Sequence, residues 1–299
     1  MSPPPDAPLD RVDVSAPCVL CGDVGAETLF VKHGYRLVRC PGCGLVFVAN
    51  PPSPVELRKI YSFDAGYHAH VLDDARERRQ LERRAEQQIE LIARFRKPGR
   101  LLDVGCSFGF FLDQARRRGW TTVGVEPNDD TAGIARRRFG LEVQSGLVGD
   151  AGLEAGSFDC VTLWDVVEHV PDPVALMATV RGLLAAGGLV AITTPDVGGL
   201  FPQASLKAAR MAGAWPHPEP PHHLFQFSER TLGRLLRQAA LAPVWTRHER
   251  IPLAYTFGGP RRLIADPRRL AYALAFAPLA LLGPAVGRGD AITVLAVGT

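Results

Sequence analysis

Apolar runs alternate with amphipathic stretches after residue 97, and glycine or proline separates many of them. Short apolar runs between turn residues predict strands, whereas apolar positions repeated every three or four residues predict helices. The predicted strands cover residues 100–104, 121–125, 142–144, 158–164, 189–193, 242–247 and 291–297, and predicted helices cover 109–118, 130–139, 173–185 and 229–240. This alternation is typical of an α/β fold in which helices cross over between parallel strands.

Three shorter regions precede this pattern. Residues 1–16 are rich in proline and aspartate and are predicted to be a disordered lead-in. Residues 17–50 form a short, glycine-rich module, and residues 51–97 form a linker with an amphipathic N-terminal or lid helix over 74–96. The main domain is expected over residues 98–299, with an apolar insertion at about 255–288.

Composition narrows the class of protein. Of 299 residues, 46% are hydrophobic and 22% are charged, as in soluble globular proteins. The net charge of +3 is too small to predict a surface that follows nucleic acid. The first residues lack the basic start and apolar core of a secretory signal, so we expect a cytoplasmic protein with reduced cysteines.

Four cysteines form the strongest local signal. Cys18 and Cys21 have CxxC spacing, as do Cys40 and Cys43, and eighteen residues separate the two pairs. This arrangement is typical of a four-thiolate zinc site. Four protein ligands leave no open coordination position, so we predict a structural Zn²⁺ ion in a zinc ribbon.

A glycine turn follows the first strand of the main domain. It reads Asp103-Val-Gly105-Cys-Ser-Phe-Gly109, and Glu126 ends the next strand, where a carboxylate can accept hydrogen bonds from ribose hydroxyls. The glycine spacing is GxxxG and not GxGxxG, the spacing that lets backbone amides approach a pyrophosphate. An aspartate before the turn favours a cationic ligand without phosphate, so S-adenosylmethionine (SAM) fits better than NAD.

From this turn onward the chain resembles the class I SAM-dependent methyltransferases of the small-molecule type. The later motifs include Trp164-Asp165, Glu168-His169, Gly187-Gly188 and Thr194-Pro195. The resemblance covers roughly residues 80–248. It implies a Rossmann-like, seven-stranded, mostly parallel sheet with helices on both faces, and SAM as the cofactor.

The resemblance also assigns cofactor roles to matching positions. The residues expected around SAM are Asp103, Gly105, Cys106, Gly109, Glu126, Pro127, Trp164 and Asp165. The glycine turn would surround the methionine end, with the Cys106 thiol packing in it. Glu126 would hold the ribose, and the adenine would lie near residues 145–150. A carboxylate and an aromatic face at 164–165 would favour the sulfonium, with core packing as the alternative for Trp164.

Two adjacent histidines are the candidate acid–base residues. Methyl transfer is an in-line displacement that needs no metal, and a base that titrates near neutral pH helps when the acceptor is a hydroxyl or an acidic C–H group. His222 and His223 follow the fifth predicted strand on the cofactor side of the sheet. The segment is similar to one that supplies an acid–base histidine in zinc-containing sugar C-methyltransferases, where a glutamate precedes it. His223 is the first choice and His222 the second, with loop-fixing hydrogen bonds as the alternative. His169 is expected to have a structural or cofactor-loop role.

Aromatic residues supply weaker candidates. Trp215, Phe201 and Phe225 would form the wall of a flat acceptor site. A lid over the site would include Tyr61, Tyr67, His68 and His70.

An uncharged apolar stretch runs from Leu270 to Val286, after four arginines at 261, 262, 268 and 269. It is shorter than the about 20 residues of a membrane span and contains two prolines, which argues against a transmembrane helix. The alternatives are a lid or core insert before the last strand, and an interfacial helix in peripheral contact with the inner face of a membrane.

The expected function is methyl transfer to oxygen or carbon of a small-molecule intermediate such as a sugar, a quinone or a lipid-linked precursor. RNA methylation is an alternative, because zinc ribbons can bind nucleic acid and residues 76–100 contain many arginines. Glutamates in the same stretch indicate a solvated face with local ion pairs instead. The remaining alternative is a protein that binds SAM without turnover. The sequence leaves the acceptor and the oligomeric state open.

Overall fold

The computed structural model describes residues 17–60, 74–212 and 220–299. Its elements, in chain order, are β1 (Glu27–Lys32), β2 (Tyr35–Arg39), β3 (Val46–Val48), α1 (Pro54–Ile60), α2 (Ala75–Ala93), β4 (Arg100–Val104), α3 (Phe110–Arg117), β5 (Thr121–Glu126), α4 (Asp129–Phe139), β6 (Val143–Ser145), β7 (Phe158–Trp164), α5 (Pro173–Leu183), β8 (Leu184–Pro195), α6 (Leu200–Ala212), β9 (Phe225–Gln226), α7 (Glu229–Gln238), β10 (Leu241–Glu249), α8 (Leu253–Phe257), α9 (Pro260–Ala265), α10 (Pro267–Leu282) and β11 (Ala291–Gly298). A short 3-10 turn, Gly283–Val286, follows α10. The predicted lead-in over residues 1–16 lies outside the described residues.

The main sheet has seven strands within the described residues, in the order β10-β11-β8-β7-β4-β5-β6. Among them, β11 alone runs antiparallel to both neighbours, while β8, β7, β4, β5 and β6 pair in parallel. The predicted Rossmann-like, mostly parallel sheet is therefore confirmed.

Helices cover both faces of this sheet, as predicted. One buried cluster joins Ile89 of α2 to Leu101 of β4, and it includes side chains of α3 and α4. The other joins Met177 of α5 and Leu235 of α7 to Leu102 of β4. Neighbouring residues of a strand point to opposite faces, so β4 contributes to both clusters.

Two predicted boundaries differ from the observed ones. The helix predicted to reach residue 185 ends at Leu183, and β8 begins at Leu184, five residues before the predicted strand, because Leu184 pairs with Phe158 of β7. The helix predicted to reach residue 96 ends at Ala93. The N–H of Arg94 bonds back to the carbonyls of the last turn and closes the helix there.

The cysteine module packs against the main domain. Strands β1, β2 and β3 form an antiparallel sheet that is completed by β9, a strand that comes about 175 residues later in the chain. Phe47 of β3 pairs with Phe225 of β9. Cys40 and Leu45 belong to the same buried cluster as Leu235 of α7. The core of the module and the core of the main domain are therefore continuous, and the segment before β9 is held by the N-terminal sheet.

Helices α8, α9 and α10 form the predicted insertion between β10 and β11. Their inner side packs on α6, where Phe257, Ala273 and Ala280 surround Phe201. Together, α10 and the 3-10 turn form a helical stretch over Pro267–Val286 that is long and apolar enough to cross a membrane by length and composition, and 17% of its most apolar part is buried. This stretch begins at Pro267, three residues before the uncharged run that starts at Leu270, and is therefore longer than that run. Its outer side is exposed, so it is not a core insert.

Candidate active site

The glycine turn lies where β4 ends at the C-terminal edge of the sheet. Gly105 has a φ of +71° and Gly109 a φ of +81°, values that favour glycine. A Cβ on Gly105 would lie 2.8 Å from Cγ2 of Val166, which follows β7, and one on Gly109 would lie 2.6 Å from Cδ1 of Leu141. Both glycines are therefore needed for the conformation and for close packing. The turn lies beside the switch point between β4 and β7, where ligand crevices form in open α/β sheets.

Glu126 ends β5 and holds this turn in place. Its Oε2 accepts a hydrogen bond from the backbone N–H of Ser107 at 2.9 Å, and its Oε1 accepts one from Asn128 at 3.0 Å. Burial raises the pKa of Glu126, and these two hydrogen bonds oppose the rise. Pro127, next in the chain, is exposed. The carboxylate thus occupies the strand-end position expected for a ribose contact.

Asp103 is 2% exposed, so it is nearly inaccessible to solvent. Its Oδ1 accepts a hydrogen bond of 2.6 Å from the Thr162 hydroxyl. Burial raises the pKa of Asp103 to about 8; the Thr162 hydrogen bond opposes the rise and the charge of Glu126 adds to it. A nearby cation would favour the ionised form of this carboxyl.

We expect Asp103 to make the stability of the ligand-free protein fall as the pH rises from about 4 to about 8. In this window the folded protein retains a proton that the unfolded chain has lost, because the pKa is raised from 3.8 to about 8. The variant Asp103→Asn keeps an acceptor for Thr162 and cannot ionise. Its melting temperature relative to wild type should therefore rise by roughly 5 °C or more between pH 5 and pH 8.

Thermal unfolding of both proteins at matched pH values measures this difference. The variant Asp129→Asn, at an exposed site on α4, serves as the control. A difference between Asp103→Asn and wild type that stays constant from pH 5 to pH 8 would contradict the prediction.

Trp164 and Asp165 lie where β7 ends, close to the glycine turn. The Trp164 ring packs edge-on against Phe111, with centroids 5.3 Å apart, and its buried Nε1 has no hydrogen-bond partner in the described part of the chain. Asp165 has a φ of +56°, and its Oδ2 lies 2.6 Å from Nη2 of Arg84 on α2. The charge of Asp165 raises the pKa of Arg84 further. Sequence reasoning missed Arg84, because the helical pattern does not distinguish it from the other arginines of α2.

The histidine segment reaches the same edge from the face that α5 and α7 cover. The backbone N–H groups of Leu224 and Phe225 donate to the Glu168 carbonyl at 2.8 and 3.1 Å. Nδ1 of His169 donates to the carbonyl of His222 at 2.7 Å, and the rings of His169 and His223 meet edge to face at 4.7 Å. The structure therefore brings both predicted histidines to the turn that carries Asp165.

Glu168 is a buried titratable residue to which sequence reasoning assigned no role. It is 1% exposed, and neither carboxylate oxygen has a hydrogen bond of normal geometry within the described residues. Burial raises its pKa well above the ordinary value, the charge of Asp165 adds to this, and the nearby Thr194 hydroxyl opposes it. Ligand atoms of Glu168, His169 and His223 all lie within 4.8 Å of one another. The Glu-His motif was visible in the sequence, but the burial of the carboxyl depends on the fold.

Two cavities lie between α2 and β10. One, of ≈ 40 Å³, is lined by Trp164 and Thr193, and the other, of ≈ 670 Å³, is lined in part by Leu281 of α10. Leu91 and Arg247 line both cavities. The smaller cavity therefore lies beside the residue expected at the sulfonium, and the larger one beside the apolar insertion.

The four cysteines of the N-terminal module converge. The Sγ atoms of Cys18 and Cys43 are 3.5 Å apart and those of Cys21 and Cys40 are 3.3 Å apart, and all four lie within 4.8 Å of one another. None forms a disulfide. Four sulfurs around a tetrahedral zinc ion, each 2.3 Å from it, would lie ~3.8 Å apart, so the donor set fits Zn²⁺.

Helix α7 anchors this module to the main domain. The Leu20 carbonyl, between the first two cysteines, accepts hydrogen bonds from Nε of Arg234 at 3.1 Å and from Nε2 of Gln238 at 2.8 Å. Gly22 and Gly44, each after the second cysteine of a pair, have φ values of +74° and +77°. The backbone therefore bends sharply after each cysteine pair, in a conformation that favours glycine.

The remaining predicted residues fall into three groups. Cys106 is 5% exposed with its thiol against Gly124, and burial raises its pKa well above the ordinary value, which is consistent with packing. Phe201 and Phe225 are 1% and 6% exposed and pack in hydrophobic clusters, so their interpretation as an acceptor wall is wrong. The predicted positions that lie outside the described residues are Trp215, Tyr61, Tyr67, His68 and His70.

Three features define the class of protein: the main sheet, its glycine turn, and Glu126 at the end of β5. Together they are typical of a Rossmann-like methyltransferase domain. A family model described as a methyltransferase domain matches residues 76–244, more than half of the chain. The chain belongs to this family, and the predicted membership is confirmed.

Two similar proteins are both named ubiquinone biosynthesis O-methyltransferase. The one from Dinoroseobacter shibae is 32% identical over 151 residues, which cover 48% of this chain and 60% of that protein. The one from Rhizobium johnstonii is 35% identical over 118 residues, which cover 38% of this chain and 45% of that protein. The chain thus spans about half the length of the curated relatives it matches.

Solved structures show the same fold at low identity. Magnesium protoporphyrin IX methyltransferase from Synechocystis PCC 6803, solved with bound SAH (S-adenosylhomocysteine), has a TM-score of 0.55 and 12% identity, covering 83% of this chain and 100% of that one. A SAM-dependent methyltransferase from Thermotoga maritima, described as a possible histamine N-methyltransferase, has a TM-score of 0.52 and 16% identity, covering 82% and 99%. These matches show a shared fold.

Proposed function

We propose that the protein is a SAM-dependent methyltransferase acting on oxygen of a small-molecule acceptor. The observation that carries the proposal is the convergence of the glycine turn with the carboxyl groups of Asp103, Glu126 and Asp165 at one edge of the sheet. Such an edge favours a cation without phosphate, which is the chemistry of a sulfonium nucleoside. The relatives named O-methyltransferase favour oxygen over carbon as the atom methylated, and a quinol or another ring hydroxyl is the acceptor class that their names suggest.

SAM fits the residues at this edge. In the proposed assignment the turn from Gly105 to Gly109 contacts the methionine end, Glu126 binds the ribose, and Trp164 with Asp165 faces the sulfonium. When bound, SAM supplies a methyl group made electrophilic by the positive sulfur. Arg84 lies on α2, the predicted lid helix, and forms an ion pair with the Asp165 carboxylate. This ion pair links the lid helix to the end of β7.

The reaction is an in-line displacement. The acceptor oxygen forms a bond to the methyl carbon while the carbon–sulfur bond breaks, and its electron pair stays on sulfur in the neutral SAH product. His223 accepts the proton that the hydroxyl loses, and His222 is the alternative base. His169 positions this segment through its hydrogen bond to the His222 carbonyl, and a carboxylate oxygen of Glu168 lies within 4.8 Å of ring nitrogens of His169 and His223.

The four cysteines hold a structural zinc ion in this proposal. The proposed organisation is a zinc ribbon over residues 17–50, a linker and lid helix over 51–97, and a SAM-binding domain over 98–299. The ribbon supports the site through β9, which begins two residues after His223. A cytoplasmic location belongs to the same proposal, with the segment from Leu270 to Val286 in contact with a membrane from which a lipid-linked acceptor would come.

The RNA alternative gains no support from α2. Arg118, just after α3, lies 3.4 Å from Glu86 and 3.2 Å from Glu90 of that helix. The arginine-rich helix therefore carries paired carboxylates, as the sequence indicated, and does not form a uniformly basic surface.

Calorimetric titration with SAH tests the cofactor site. We expect Glu126→Ala to weaken SAH binding on the order of 100-fold, because it removes a charged hydrogen-bond acceptor for the ribose and for the turn. Glu126→Gln keeps one acceptor oxygen and should lose less. Glu142→Ala, at an exposed site before β6, is the control and should bind as wild type. Absence of SAH binding by folded wild-type protein, or equal binding by Glu126→Ala, would overturn the proposal.

A further inference from the structure

We propose that the insertion formed by α8, α9 and α10 docks the protein onto an anionic membrane surface. The segment is a surface layer, with one side packed on α6 and the other exposed. The proposal concerns where the protein binds and does not depend on methyl transfer. It is carried by the apolar outer side of α10, the apolar residues that continue it on α8 and α9, and the charge of the whole segment.

The two sides of α10 are both apolar. On the inner side Tyr272 and Phe276 pack around Phe201, at ring distances of 6.3 and 6.1 Å. The outer side carries Leu274, 71% exposed, and Leu281, 51% exposed. These two residues are seven positions apart, two helical turns, and therefore share one face. A helix that is apolar all round requires a second apolar environment, which the described part of the chain does not supply on the outer side.

The neighbouring helices also carry exposed apolar side chains. Ile264 on α9 is 82% exposed and Tyr255 on α8 is 71% exposed, among the largest exposures of apolar or aromatic side chains in the described residues. Leu282 at the end of α10 is 51% exposed. This concentration of exposed apolar side chains in one insertion favours protein–protein or membrane contact.

The positive charge of the segment favours binding to an anionic membrane. Residues 250–288 contain six arginines and one acidic residue, Asp266, a net charge of +5, whereas the whole chain carries +3. Asp266 caps α10 by accepting hydrogen bonds from the N–H groups of Arg268 and Arg269. Arginines beside exposed leucine, isoleucine and tyrosine form the combination that binds anionic headgroups and inserts apolar side chains below them.

The packing of α10 favours a helix that lies on the membrane over one that crosses it. Its inner side contacts α6 and α8, and β11, which begins a few residues after the helix, pairs along its length with both β8 and β10. A spanning helix would have to give up these contacts with the main sheet. Only the outer side chains of α10 would therefore enter the membrane.

Docking in this orientation would bring the larger of the two cavities between α2 and β10 to the membrane, because Leu281 and Pro284 line it. Leu91 and Arg247 line this cavity and also the smaller one beside Trp164. An amphipathic acceptor from the lipid phase would therefore approach the end of β7. This consequence, unlike the docking itself, rests on the proposed function.

Co-sedimentation with vesicles tests the docking. Wild-type protein should bind vesicles of phosphatidylcholine and phosphatidylglycerol and bind at least about tenfold more weakly to vesicles of phosphatidylcholine alone. The double variant Ile264→Gln, Leu274→Gln should lose most of this binding. The variant Arg261→Gln, Arg268→Gln should lose binding by about tenfold or more, and added salt should weaken its binding less steeply than that of wild type, because four of the six arginines remain.

Matched control variants are Val24→Gln with Val55→Gln, exposed apolar residues elsewhere, and Arg79→Gln with Arg137→Gln, exposed arginines elsewhere. All variants should keep the thermal stability and SAH affinity of wild type, so a failure of the cofactor site is seen separately. Equal binding by Ile264→Gln, Leu274→Gln and wild type would overturn the proposal. So would a wild-type dimer, in light scattering, that this variant converts to monomer, because a second copy would then cover the surface.

Discussion

Replacing His223 with asparagine is expected to lower kcat by about 10²- to 10⁴-fold, the usual contribution of a positioned general base. SAH affinity should stay near that of wild type, because the side chain is assigned to the acceptor and not to the cofactor. The ring of His223 lies against His169, beside the turn that carries Asp165, so it is placed to take a proton from an acceptor at the end of β7. Methyl transfer to a panel of catechols and quinols provides the measurement.

The pH profile distinguishes a base from a structural histidine. In wild type, kcat should fall at acidic pH as the base becomes protonated, and loss of the base should remove this acidic limb of the pH profile. Added imidazole should restore part of the rate. His33→Asn, an exposed histidine of the β1–β2 hairpin, is the control and should retain wild-type kcat. If His222→Asn gives the larger loss and abolishes the acidic limb, the assignment of the base moves to His222.

Removing zinc is expected to lower the melting temperature by about 10 °C or more and to abolish methyl transfer. Zinc-thiolate binding contributes folding free energy directly, and the module has few strands of its own to replace it. Cys40 and Leu45 belong to the core that α7 completes, and β3 pairs with the strand that follows His223. Loss of the ion should therefore disturb the histidine segment as well as the ribbon.

Metal analysis and calorimetry test this with the variant Cys40→Ser. Wild-type protein should hold one zinc ion per chain, and the variant should hold less than one and unfold at lower temperature. Cys160→Ala, a buried thiol in β7 outside the module, is the control and should retain the metal. Wild-type protein that unfolds at the same temperature with and without a strong chelator would exclude a structural role for the ion.

The local patterns of the chain were sufficient to predict the sheet and the glycine turn at its C-terminal edge. Strands of the main sheet are short apolar runs between turns, and their alternation with helices allows few topologies. The positive φ of Gly105 and Gly109 and the strand-end position of Glu126 follow from residues close together in sequence. The CxxC pairs predicted the cysteine cluster for the same reason, since each knuckle is a local turn.

The tertiary structure alone decided which distant segments meet at the site. Strand β9 has two residues and no periodicity, yet it joins the ribbon sheet because β3 offers it a paired edge. The pairing of Arg84 with Asp165 and the burial of Glu168 depend on how α2 and the histidine segment close over β7. The outer side of α10 has the same composition whether it is buried or exposed, so only its packing on α6 showed which side faces solvent. Sequence therefore determined the elements and the local turns, and long-range packing determined the neighbours of each carboxyl group.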